Sequence, residues 1–168
     1  MITKPKPISS EVYKLTYEEC RHLISKISYS KTSDIFGKEK GKGVLKGIID
    51  SIYQNAFVED AYPSIKEKAA NLLYFIIKDY PFVDRCKRIA ATTFLYFLDM
   101  NRILYKDNNK ILSDSTLVAL TLLIAESKPQ EKRNHDQHRN EFLDMVNYIF
   151  LRHLRRLQKA GKIYTLSA

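Results

Sequence analysis

Residues 80–101 read YPFVDRCKRIAATTFLYFLDMN, and the fold turns on them. A rigid polar turn from Pro81 to Lys87 leads directly into a stretch that is apolar on nearly every side. Ile89, Ala90, Ala91, Phe94, Leu95, Tyr96, Phe97, Leu98 and Met100 leave almost no solvated face. A helix apolar all round is a buried one, so this stretch is the expected centre of the domain. The first amides of such a helix lack intrahelical acceptors and favour an anion in front of them. Lys87 and Arg88 add positive charge at the same place.

On the N-terminal side, Ser64 followed three residues later by Glu67 predicts a capped helix running to about Asp79, with Ile65, Ala69, Leu72, Leu73, Ile76 and Ile77 facing inward. Pro81 ends it, and the residue before a proline is biased to extended backbone, so Tyr80 is expected extended at the lip of the loop. Further back, Val44–Phe57 reads as a helix, with Glu59–Pro63 as a short connection. Thr16 with Glu19 predicts a capping box at the head of a first helix carrying Tyr17, Cys20, Leu23, Ile24 and Ile27. Between these two helices, Ser28–Lys42 reads as loop, and the segment GKEKGKG (37–43) as charged and flexible. That segment lacks the spacing and the preceding strand of a phosphate loop.

On the C-terminal side, Arg102–Asn109 reads as a polar turn. Ser113 or Asp114 caps a helix carrying Leu117, Val118, Leu120, Thr121, Leu123, Ile124 and Ala125. A last helical stripe runs from Phe142 to Leu157 and ends near Lys159, with Arg152, Arg155 and Arg156 making it strongly basic. Five or six helices and no substantial sheet predict an all-α domain over residues 16–160. Residues 1–15 are expected as a flexible or extended arm and residues 161–168 as a tail.

At 168 residues, with 45% apolar and 28% charged side chains, the chain is long enough for one domain with its own core. No apolar run approaches the roughly 18 residues of a membrane span, and MITKPKPISS has no apolar stretch behind its lysines. Two cysteines, Cys20 and Cys86, form no disulfide framework, so a cytoplasmic protein with no membrane association is expected. The net charge of +9 suits either a soluble basic surface or an anionic partner such as nucleotide phosphate or nucleic acid.

The stretch Ser64–Asn101 resembles the core of the Fic/Doc superfamily, whose signature HPFxDGN(G/K)R opens a buried helix. The wider likeness, from about Gly43 to about Ser127, is to the Fic-like C-terminal part of bacterial RhuM-type virulence proteins; YPSIKEKAANLLYFIIKDYPFVD and LVALTLLIAES carry it. Pro81, Phe82, Asp84, Lys87 and Arg88 keep the signature, whereas Tyr80, Arg85 and Cys86 stand where it has His, Gly and Asn. The resemblance implies a Fic/Doc-like helical fold. It also implies AMP or phosphate transfer to a protein hydroxyl, ATP and Mg²⁺ as cofactors, a flap between the second helix and the helix before the loop, and a protein target or antitoxin-like partner.

By the same resemblance, Tyr80 takes the place of the general base, Asp84 that of the metal ligand, Arg85 and Cys86 that of the anion hole, and Lys87 and Arg88 hold phosphate. A tyrosine hydroxyl ordinarily ionises near pH 10 and is a poor base at neutral pH. Arginine does not readily adopt the backbone that glycine allows. Asp84 could equally cap a helix, and Cys86 at a helix start could be a thiol of lowered pKa or a buried filler. His22, His135, His138 and His153 are the other histidines that could replace the base. Three functions therefore stand open: a Fic-like protein with a degenerate loop that keeps nucleotide or phosphate binding, an active Mg²⁺-dependent transferase, and a basic module binding nucleic acid or protein.

Overall fold

A computed structural model describes residues 12–27, 34–106 and 108–126, together with Asp144. The described chain is predominantly helical. In order it comprises α1 (Tyr17–Ile27), α2 (Val44–Ser51), β1 (Asn55–Ala56), β2 (Glu59–Asp60), α3 (Ile65–Lys78), α4 (Cys86–Met100), β3 (Tyr105–Lys106), β4 (Asn109–Lys110) and α5 (Asp114–Glu126). The expected last helix, with His135, His138 and His153, and the expected tail lie outside the described residues.

Local chemistry sets the helix starts. Thr16 and Glu19 close the first capping box: the Glu19 amide donates to Thr16 Oγ1 at 3.2 Å and the Thr16 amide donates to Glu19 Oε2 at 2.9 Å. Ser64 and Glu67 repeat it at α3, at 3.1 and 2.9 Å. At α5 the cap is Ser113, whose Oγ accepts from the Thr116 amide at 3.1 Å, while Asp114 pairs with Lys110. Each cap satisfies amides that the helix itself leaves open.

The α4 helix is the axis of the packing, and its contact with α3 is the most extensive between any two elements. Ile89, Ala90, Phe94, Phe97 and Leu98 of α4 are completely buried, as are Ala69, Leu72, Leu73 and Ile76 of α3. The outer turns of α4 are less enclosed than its sequence suggests: Leu95 and Tyr96 are half-buried and Met100 is exposed. Ahead of α1, Leu15 is already in the core, and its amide donates to the Tyr53 hydroxyl at 2.7 Å. Among the described residues no helix is long and apolar enough to cross a membrane.

One expectation is shortened and another is refined by a short hairpin. The expected helix Val44–Phe57 stops at Ser51, and residues 55–60 form an antiparallel hairpin pairing Asn55 with Asp60 and Ala56 with Glu59. The expected turn Arg102–Asn109 contains a second hairpin, pairing Tyr105 with Lys110 and Lys106 with Asn109. Both depend on left-handed backbone at residues other than glycine: Phe57 has φ 64°, Arg102 58° and Asn108 62°. Such positions are uncommon for side chains other than Asn and Asp, so Phe57 and Arg102 do not announce them, whereas Asn108, inside the expected turn, does.

Buried Lys68, 5% exposed, ties the first hairpin to α3. Its ammonium bonds the Tyr62 carbonyl and pairs with Asp60 at 3.1 Å. Replacing it by an apolar side chain leaves the Tyr62 carbonyl without this donor. Lys68→Met is expected to cost about 1–3 kcal/mol in urea denaturation. It should also accelerate exchange of the Ala61 amide, which closes the hairpin base on the Gln54 carbonyl at 3.0 Å. An unchanged exchange rate would show that Lys68 does not anchor the hairpin.

Candidate functional site

The loop between α3 and α4 reverses the chain in seven residues, Asp79 to Arg85, while driving Phe82 into the core. Both flanks use left-handed backbone. Tyr80 has φ 50°, which corrects the expectation of an extended residue before the proline. Arg85 has φ 57° and ψ 30° at the N-cap of α4. A conformation that suits glycine is therefore adopted at position 85 although the residue is arginine. Reversing within so few residues with Pro81 and Phe82 both buried sets the backbone here, against the side-chain preference.

The Arg85 side chain turns back on its neighbour, with Nε 3.2 Å from Asp84 Oδ2. Asp84 is thus occupied as the acceptor of an ion pair, with both partners about one-third exposed (33% and 38%). A Mg²⁺ arriving with phosphates needs only one or two protein carboxylates; Asp84 would be the carboxylate here, and its pair with Arg85 would have to open first. Among the described residues no group of three His, Cys, Asp or Glu side chains converges on a cation site.

Cys86 is 1% exposed and its thiol donates to the Phe82 carbonyl at 3.4 Å. Burial pushes its pKa up, which outweighs the lowering by the Phe82 hydrogen bond and by the charge of Lys40. Of the two readings open for Cys86, its burial and hydrogen bond favour the buried filler that staples the loop over the thiol of lowered pKa. Lys87 and Arg88 are exposed on the first turn of α4.

The sequence reading missed the neighbour of this loop. The segment 34–43 is docked along it by backbone bonds. The Lys40 amide donates to the Pro81 carbonyl at 2.8 Å and the Val83 amide donates to the Lys38 carbonyl at 2.9 Å. Phe36 bridges Asp84 and Glu39 bridges Phe82. Side chains of an extended segment alternate, and here the alternation sorts charge. Glu39 turns inward, accepting from the Tyr17 hydroxyl at 2.8 Å and lying 3.8 Å from Arg21. Lys38 and Lys40 are exposed, with Lys40 Nζ 4.1 Å above the centre of the Tyr80 ring. Gly37, at φ 67°, lets the segment lie on α1, where an added Cβ would sit 2.5 Å from the Ile24 side chain. GKEKGKG is thus a fixed part of the site's wall, which corrects its reading as a loose loop.

Phe57 and Val58, at the tip of the first hairpin, are almost wholly exposed, at 104% and 94%. They form an apolar prow on an otherwise polar ribbon, in the connection between α2 and α3. Elsewhere, a cavity of about 300 Å³ opens between α1 and Tyr96, and His22 lines it. Among the described residues no hydrogen bond joins His22 to the 80–88 loop. No protein-family model, curated protein or solved structure matches this chain.

Two tests follow from this geometry. Arg85→Gly removes the left-handed arginine, worth about 1–2 kcal/mol, at the loss of a partly exposed ion pair worth about 0–1 kcal/mol. The variant should therefore be slightly more stable than the parent, and a lower urea midpoint would show that the Asp84 pair outweighs the backbone strain. The cysteines test burial. The Cys20 thiol is pushed up to about 11, by burial first, and Cys86 is raised too. A thiol whose folded pKa lies above the unfolded value of about 8.5 favours the folded state fully below that value. That contribution is lost as pH rises toward 11. The expected outcome is slow native-state alkylation of both thiols at pH 8 and a falling urea midpoint above pH 9. Rapid alkylation of Cys86 at pH 7 would restore the activated thiol.

Proposed function

We propose that the chain is a Fic/Doc-like domain whose 80–88 loop has lost transfer chemistry and works by binding. The Arg85–Asp84 pair carries the reading. The residue in the signature's glycine position holds the one carboxylate that would take Mg²⁺, so a metal–nucleotide complex must first break that contact. Three further observations support it. Tyr80, in the place of the general base, lies under the Lys40 ammonium, and Cys86, in the place of the signature Asn, is enclosed. The hairpin 55–60 occupies the connection where the family has the flap that aligns its target. Its exposed Phe57 and Val58 suit an extended segment of a protein partner. Lys87 and Arg88 keep the electrostatics for a phosphate group at the head of α4.

The rival reading, an active Mg²⁺-dependent transferase, requires Tyr80 to act as base and Arg85 to release Asp84. Calorimetric titration of MgATP into wild type and Arg88→Ala (R88A) separates retained phosphate binding from its loss. In parallel, the combined replacement Tyr80→His, Arg85→Gly and Cys86→Asn restores the signature, and transfer of labelled AMP or of the γ-phosphate is measured. The expected result is no transfer by the wild type, measurable transfer or self-modification by the restored chain, and ATP binding that weakens at least ten-fold in Arg88→Ala. Transfer by the wild type would overturn the degenerate reading. No ATP binding and no transfer by a folded restored chain would remove the Fic/Doc reading itself.

A further inference from the structure

Docking of residues 34–43 on the 80–88 loop creates a surface that neither segment has alone. Lys38 and Lys40, two residues apart, are exposed, while Glu39 between them is turned to Tyr17. Lys42, Lys87 and Arg88 are exposed on the same two segments. Among the described residues none of these five cations takes part in a salt bridge. The intervening acids are neutralised: Glu39 is turned to Tyr17 and Arg21, and Asp84 is held by Arg85. Asp34 and Asp79 remain exposed at the outer ends of the two segments. Tyr80 lies on the 80–88 loop with 42% of its surface exposed and its ring in contact with the Lys40 ammonium.

Unpaired cations on the same two segments as an exposed, positioned aromatic ring match a phosphate chain that also carries flat bases. Lysines track the backbone and the ring offers a stacking platform that tolerates any base. We infer that this two-loop face binds single-stranded nucleic acid, with Lys38, Lys40, Lys42, Lys87 and Arg88 on phosphates and Tyr80 against a base. The net charge of +9 supplies long-range attraction to the same ligand. A duplex keeps its bases stacked away from Tyr80, and an acidic polypeptide brings charge but no bases, so the ring distinguishes the single strand from both. The inference does not rest on the Fic/Doc reading, because it uses neither a metal nor transfer chemistry.

The test uses the full chain and a fluorescein-labelled oligo-dT of about 12 nucleotides, within the usual footprint of single-strand binding surfaces. Anisotropy is followed against salt concentration. The triple variant Lys38→Ala, Lys40→Ala, Lys42→Ala, all exposed positions, is expected to bind about ten-fold more weakly. Its salt slope should be shallower by about 2, the value for three lost single-strand phosphate contacts. Tyr80→Leu should also weaken binding about ten-fold while leaving the salt slope unchanged. Duplex of the same length should bind more weakly and be insensitive to Tyr80→Leu. Circular dichroism melts check that the variants fold, and Lys40→Arg, which keeps the charge, should retain binding.

Several results would overturn the inference: no binding at low salt, equal binding by wild type and triple variant, or duplex preferred over single strand. Loss confined to Arg152→Gln, Arg155→Gln, Arg156→Gln would do the same by moving the site to the C-terminal segment. Tighter binding of poly-glutamate than of oligo-dT would assign the face to an acidic protein. The MgATP titration remains a separate measurement, so failure of either idea leaves the other standing.

Discussion

Phe82 is the constraint on which the site depends. It is fully buried at the point where the chain turns from α3 into α4. The Phe82 carbonyl accepts from the Cys86 thiol, and bonds from the adjoining Pro81 and Val83 backbone hold the 34–43 segment. A large ring can reach the core from a tight reversal only if the backbone bends sharply on both sides of it. Tyr80 and Arg85 provide those bends by adopting left-handed conformations. Each costs on the order of 1–3 kcal/mol and persists only where surrounding structure over-determines it. Here that structure is the packing of α3 on α4 together with the backbone ladder to residues 38–40.

Burying Phe82 also has an electrostatic consequence. The two segments held around it carry six cations that reach the surface: Lys38, Lys40, Lys42, Arg85, Lys87 and Arg88. Their mutual repulsion opposes docking, and Glu39 relieves it from inside. Its carboxylate accepts from Tyr17 and from the Leu45 amide in the first turn of α2, at 2.8 and 3.4 Å. The start of α2 has no side-chain cap of its own, since Gly43 precedes it, so Glu39 also places negative charge where the helix dipole favours it. One residue therefore joins α1, the docked segment and α2, and leaves its lysine neighbours on the opposite side.

What could be read from the sequence follows the range of the interactions. Capping boxes at Thr16–Glu19 and Ser64–Glu67 act over three residues, and both were legible in the residue types. The central place of α4 was legible from its apolar run, because burial needs no knowledge of the partner. The docking of Gly37–Lys40 on Pro81–Val83 was not: it is made by backbone groups some forty residues apart, which every residue carries equally. The hairpin at 55–60 was hidden for another reason. Tyr53 and Ala56 continue a helical spacing, and the turn is made by Phe57 in a conformation normally signalled by glycine or asparagine. The same applies to Arg85, where the expectation that arginine would resist left-handed backbone underestimated the surrounding packing.

On the proposed reading, the loop keeps a geometry while its chemistry changes. Left-handed backbone at 85, a buried aromatic at 82 and a basic first helical turn are all present. These properties depend on packing and charge, which tolerate exchange of one side chain for another. Base, metal and oxyanion functions instead require particular atoms at particular distances; on the proposed reading Tyr80, Arg85 and Cys86 stand where the base and the anion hole would be, and Asp84 is the remaining metal-ligand candidate. Arg85 is the most consequential of the three. With Arg85 in the left-handed conformation its side chain pairs with the preceding Asp84 at 3.2 Å. A single change from glycine to arginine at such a position would then both occupy the prospective metal ligand and add a cation to the face. On the proposed reading, loss of transfer and gain of a more basic surface are two results of one substitution. Selection for binding would retain it, whereas selection for turnover would remove it.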